Sequence, residues 1–127
     1  MDGGDWLTRE GVLDLAGAFA LHHGGSLQDV RVAWRITGPR RAPVVAVLGG
    51  ISGHRRVYGA EGEPSGWWQE ISGPGRAFPS ARLQVLSFDW LGGSGETTGP
   101  VSAPGAAAAG FPTVSTRDQS TLLARVL

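Results

Sequence analysis

The chain has no cysteine. That excludes a disulfide framework, a thiol nucleophile and a thiolate metal site. It also lacks lysine and asparagine, so all 11 of its basic side chains are arginines. Without lysine there is no P-loop, and no window satisfies the G-x-G-x-x-G dinucleotide pattern. An excess of either charge is missing too, since 11 basic residues meet 11 acidic ones. A neutral chain offers no general field for nucleic acid or an anionic membrane, and neither is expected as a partner. Long apolar runs are absent. The longest, Ala42 to Ile51, is about half of the ~20 residues a membrane helix needs. The opening Met1-Asp2-Gly3-Gly4-Asp5 is acidic where a secretory signal is basic, so a cytoplasmic location is expected.

What the chain has in quantity is glycine: 21 residues, beside 8 prolines, in a total of 127. The two make up about 23% of the sequence, just short of the ~25–30% at which low complexity becomes the leading reading. Five tryptophans and a 41% hydrophobic share argue for a core instead. The length fits one domain or part of one, on a scale of roughly 100–200 residues per domain.

Residues 1–17 show no sustained period and are expected to be a loose leader with a short helical turn. Ala18 to Leu21 and Leu27 to Thr37 read as two strands around a turn at His23-Gly24-Gly25-Ser26. In the second, Val30, Val32, Trp34 and Ile36 fall on one face and Arg31, Arg35 and Thr37 on the other. That alternation predicts an antiparallel strand near a sheet edge, with one wet face. The pattern then changes. Val44 to Leu48 is apolar at every position, and Leu83 to Asp89 is a second buried-strand candidate; both predict strands covered on two faces, as in a parallel sheet. Each run ends in glycines, Gly49-Gly50 and Gly92-Gly93-Ser94-Gly95. Ligands in open α/β sheets gather beyond the carboxyl ends of the strands, which puts both loops on the functional side. Val101 to Gly110 reads as a flexible low-complexity excursion. Ser115-x-x-Asp118 and Thr116-x-x-Gln119 are overlapping capping boxes for a helix whose Leu122, Leu123, Val126 and Leu127 share a face. No stop signal follows Leu127, so truncation is the expectation.

No serine announces itself as a nucleophile, because no G-x-S-x-G elbow is present. His22 and His23 are adjacent, and strand alternation would send them to opposite faces, so no metal site is expected. His54 has a better address, in the glycine loop after a buried strand. Trp67-Trp68 fits a loop anchor better than a stacking platform. In Gly49-Gly50-Ile51-Ser52-Gly53, small residues would let a backbone N–H face a developing oxyanion, or would simply let the chain reverse; the residues alone leave these two readings even.

The order of these motifs resembles the homoserine O-acyltransferase family, whose fold is the α/β-hydrolase. The resemblance rests on Gly66-Trp67-Trp68, Gly73-Pro74-Gly75-Arg76-Ala77-Phe78, Arg82 and Leu91-Gly92-Gly93 through Thr98-Gly99-Pro100. The opening segment with Gly24-Gly25 and Val30 to Trp34, and the helix lead-in Phe111 to Gln119, are similar too. It covers residues 18–127. It implies an α/β chain: the N-terminal portion of an α/β-hydrolase fold, with an opening antiparallel hairpin and then buried strands of a mostly parallel sheet, cut before the nucleophile elbow. The resemblance matches Ile51 to a residue whose backbone N–H serves the oxyanion hole, and Ser52 to a substrate-binding Thr. Gly49-Gly50 and Asp89-Trp90 depart from the family pattern and mark a divergent branch. No bound cofactor is implied. Acetyl-CoA or succinyl-CoA would be the co-substrate, homoserine or serine the acceptor, and a homodimer the complete form. The triad would lie beyond residue 127, leaving this chain alone inactive. An ester hydrolase and a non-catalytic Gly/Trp-rich binding domain are the two other readings.

Overall fold

The computed structural model describes residues 6–50, 52–60, 62–73, 75–79, 82–100 and 110–127. Strands β1 (Trp6–Ala20) and β2 (Ser26–Pro39) come first, followed by β3 (Val44–Ala46), β4 (Ser72–Gly73), β5 (Phe78–Pro79) and β6 (Gln84–Phe88). One helix, α1 (Thr116–Val126), closes the described chain. The main sheet has the order β1-β2-β6-β3, and β4 and β5 form a separate parallel pair. β6 runs antiparallel to β2 (Arg35 opposite Ser87) and parallel to β3 (Val45 opposite Val85). This is the mixed sheet expected where an antiparallel opening gives way to parallel strands.

Three expectations need correcting. The leader is a strand from Trp6 onward. Between Gly11 and Phe19 every second residue turns inward, but Val12, Ala16 and Ala18 on the outer face are apolar, so hydropathy hides a period that the backbone obeys. β2 lies beside the end strand β1 and antiparallel to β6, near the sheet edge as its alternation predicts. Its supposed wet face is buried from Arg35 on, because acidic partners cover the guanidinium there. Conversely β3, read as covered on both faces, is the end strand of the described order, and Val44 and Leu48 are exposed. β6, with a strand on either side, is buried at all five positions, as its sequence predicts.

The chain divides into two compact units. One comprises residues 1–11 and 34–88; the other, 12–33 and 89–127. In the first, Val47, Val57, Tyr58 and Val85 form a core against which Val45 and Trp67 pack. In the second, Phe19, Leu21, Val30, Val32, Leu91 and Leu122 are buried. There the turn after β1 closes through Leu21 N–H to Gly25 O (3.0 Å), and Gly24 and Gly25 take up the positive φ that it requires. His22 and His23 stack at 4.3 Å instead of diverging, since the strand and its alternation stop at Ala20. Helix α1 starts at the first of the two capping boxes, Ser115 with Asp118. Its buried residues are Asp118, Gln119 and Leu122, so the apolar face read from sequence is only partly bare. The excursion from Val101 lies outside the described residues as far as residue 109.

Candidate functional site

The site is built where β3 ends. β3 and β6 are parallel, so their carboxyl ends reach the same edge of the sheet, and the chain leaves β3 through Val47 into Gly49, Gly50, Ser52, Gly53 and His54. Val47 N–H still bonds to Leu86 O (2.9 Å), which ties the start of the loop to β6. The loop turns back on itself through Gly53 N–H to Gly50 O (2.8 Å). Two of its glycines, Gly49 and Gly53, are a packing requirement. A Cβ on Gly53 would lie 2.9 Å from Gly49 Cα, and one on Gly49 would lie 3.0 Å from Trp67 Cζ2. Ser52 is exposed on this loop. Ile51, the predicted oxyanion donor, lies outside the described residues.

Trp67 holds the far side of the turn. Its indole Nε1–H donates to His54 O (2.8 Å), and Ser87 Oγ, from β6, reaches the same carbonyl at 3.4 Å. Its backbone N–H donates to Arg56 O (3.2 Å). The exposed His54 ring folds back on its own segment: Nδ1 accepts from Arg56 N–H (3.1 Å). With that nitrogen in use, His54 reads as a loop staple rather than a general base. Trp67 and Trp68 stack at 5.9 Å, and Trp68 is the more exposed of the two. The anchoring role expected of this pair from sequence therefore falls to Trp67.

Sequence reasoning missed what lies beneath. Arg35, 2% exposed, donates to both carboxylate oxygens of Glu63 (2.7 and 3.1 Å) and to Tyr58 O (3.4 Å), and it pairs with Glu10 at 3.3 Å. Glu10 also meets Arg55 Nε (3.4 Å), and Glu63 meets Arg56 Nη1 (3.1 Å) and accepts Ala60 N–H (2.9 Å). Burial by itself would lower the pKa of Arg35, but Glu63 and Glu10 outweigh it and the group is held more firmly charged than usual. The hydrogen bond from Arg35 pulls Glu63 down to about 2. An arginine in the middle of a strand, between Trp34 and Ile36, was the available signal.

The second glycine loop, in the other unit, is a closed structural piece. Gly92 N–H bonds to Thr98 O (2.9 Å), and Glu96 N–H to the buried Asp89 carboxylate (3.0 Å). Thr97 and Thr98 hydroxyls accept from Ala33 and Arg31 N–H (3.0 and 2.8 Å). Gln119 of α1 clamps Leu91 by both its backbone groups, at 3.0 and 2.8 Å. A loop whose backbone donors are engaged in this way holds the fold, so of the two candidate loops the one after β3 is the better functional site.

No family model matches the chain. It is similar to a homoserine O-acetyltransferase of Leifsonia xyli subsp. xyli, 43% identical over 81% of this chain and 28% of that protein. It is also similar to a homoserine O-succinyltransferase of Xanthomonas campestris pv. campestris, 37% identical over 64% of this chain and 22% of that one. Among solved structures, homoserine O-acetyltransferase from Staphylococcus aureus matches with a TM-score of 0.76 at 24% identity, over 94% of this chain and 36% of its own. Esterase E22 matches with a TM-score of 0.74 at 27% identity, over 94% and 38%. The fold is therefore part of an α/β-hydrolase, and the chain spans 22–28% of the length of the two curated relatives.

Proposed function

This chain belongs to the homoserine O-acyltransferase family of the α/β-hydrolase superfamily, and we propose that it forms the oxyanion wall of an acyltransferase active site. The supporting observation is the loop after β3: a tight turn of small residues at the carboxyl edge of a parallel strand pair, pinned by Trp67 and Ser87. In the complete enzyme a serine from outside this chain attacks the thioester carbonyl of acetyl-CoA or succinyl-CoA. The C–S bond breaks, coenzyme A leaves as the thiol, and an acyl-serine ester forms. The hydroxyl of homoserine, or of serine, then gives its proton to the base of the triad and attacks that ester. The serine–acyl C–O bond breaks, the O-acylated acceptor leaves, and the base returns a proton to the serine. Both steps pass through a tetrahedral oxyanion that the Ile51 N–H stabilises, and Ser52 lies beside the substrate. The reaction belongs to methionine and sulfur amino-acid biosynthesis in the cytoplasm, and a homodimer is the complete form.

The test uses a chimera in which these residues replace the matching segment of the Leifsonia xyli relative, beside the 127-residue chain alone. Coenzyme A release is measured with each acyl-CoA and each acceptor. The chimera is expected to turn over and the chain alone is not, since it holds no G-x-S-x-G elbow. Turnover by the chain alone would overturn the assignment of a single wall. Ile51→Pro in a folded chimera is expected to lower turnover by about 10²–10³, the usual cost of one lost oxyanion donor. The likeness to esterase E22 favours one second reading, in which water takes the acyl group. Acid release that does not depend on acceptor would select it.

A further inference from the structure

The loop after β3 is followed at once by two arginines, and both are held by carboxylates that Arg35 also holds. Arg55 meets Glu10, Arg56 meets Glu63, and Arg35 bridges Glu10 and Glu63 from within the sheet. Arg35 sits opposite Ser87 in the β2/β6 register, and Ser87 Oγ reaches His54 O. Two neighbouring sheet positions thus grip the same segment, one by a hydroxyl and one through two carboxylates. The segment passes the constraint back into the loop: Arg56 N–H to His54 Nδ1, then His54 O to the Trp67 indole that packs on Gly49. A buried ion pair is a poor way to gain stability, because apolar side chains of similar size often do as well or better. What the Arg–carboxylate fork does supply is fixed geometry, through parallel hydrogen bonds in one plane.

We propose that Arg35 and Glu63 are a positioning pair that sets the geometry of the Gly49–His54 loop from beneath, and so aims its backbone donors. The idea that aim matters for turnover rests on the acyltransferase reading above; the mechanical coupling does not.

The coupling is read on the 127-residue chain by hydrogen exchange. Two reporters lie in the loop, Gly53 N–H (to Gly50 O) and Trp67 Nε1–H (to His54 O). Two lie beside the sheet, Val47 N–H (to Leu86 O) and Gln84 N–H (to Pro43 O). The variants are Glu63→Gln, which keeps shape and loses charge, and the apolar replacement Arg35→Met/Glu63→Leu. In both, the loop reporters are expected to exchange at least about tenfold faster while the sheet reporters hold their rates, the signature of local opening. Arg35→Lys is expected not to restore protection, because an ammonium cannot make the fork. Equal acceleration of all four reporters, no change in any, or failure of both variants to fold overturns the proposal. In the chimera, the same variants are expected to lower kcat with KM for acyl-CoA nearly unchanged. A loosened loop with unchanged kcat leaves the positioning pair standing and removes the oxyanion role of the loop instead.

Discussion

At Glu63 one carboxylate serves two guanidinium groups, Arg35 at 2.7 Å and Arg56 at 3.1 Å, and acidity is the variable that reads it. Its pKa in the fold is about 2 against an ordinary 4.5, so the folded chain binds its proton less readily than the unfolded one. The stabilisation is fully present above about 4.5 and is lost as pH falls toward about 2. Denaturant midpoints measured between those values should fall for the native sequence and be flatter for Glu63→Gln. Gly53 makes a different prediction at the same scale. Its missing Cβ would sit 2.9 Å from the backbone of Gly49, where no rotamer change gives relief. Gly53→Ala should therefore cost about 1–3 kcal/mol, the usual range for overpacking, in a urea titration followed by tryptophan fluorescence. The glycine run was plain in the sequence. Which glycines face each other across a turn was not, because that depends on where Trp67 lands.

Helix α1 shows how a local signal acquires a second duty. The Ser115–Asp118 box reads directly from the chain, and the helix begins there. Asp118 is 3% exposed, and besides Ser115 N–H (2.8 Å) its carboxylate accepts His22 N–H (2.9 Å) from the turn after β1. Burial would raise its pKa, but the donors from Ser115 and His22 outweigh that and hold it below the usual carboxylate range. Ser115→Ala should cost about 1 kcal/mol, as a lost cap does. Asp118→Ala should cost more, since it strands two backbone donors at about 1–3 kcal/mol for each that water cannot reach. Thermal melts of the two variants check the order, and equal losses would refute it. The strands reverse the lesson. β2 announced itself by alternation and β6 by its buried-strand pattern, yet β1 stayed hidden, because Val12, Ala16 and Ala18 on its outer face are apolar and blur the alternation.

Over the whole molecule, the described sheet ends at β3 with Val44 and Leu48 exposed, 45% and 39%. An exposed apolar end strand is a template for pairing with another copy. The 127-residue chain is expected to self-associate, and Val44→Arg to raise the monomer fraction in size-exclusion chromatography at matched concentration. An unchanged elution profile would place the association elsewhere. By itself the sequence determined the helix start, the buried strand β6 and the two glycine loops, because each depends on a few neighbouring residues. The order of its motifs over residues 18–127 carried the resemblance to the family. Only the tertiary structure decided that β3 lies at the end of the described order, that Arg35 is buried among carboxylates, and that the Gly92–Thr98 loop is a clamp. Those outcomes turn on which strands become neighbours and which charges meet after the chain has crossed tens of residues. Glu10 and Glu63 stand 53 residues apart in sequence, yet they close on one guanidinium, and no periodicity along the chain encodes that meeting.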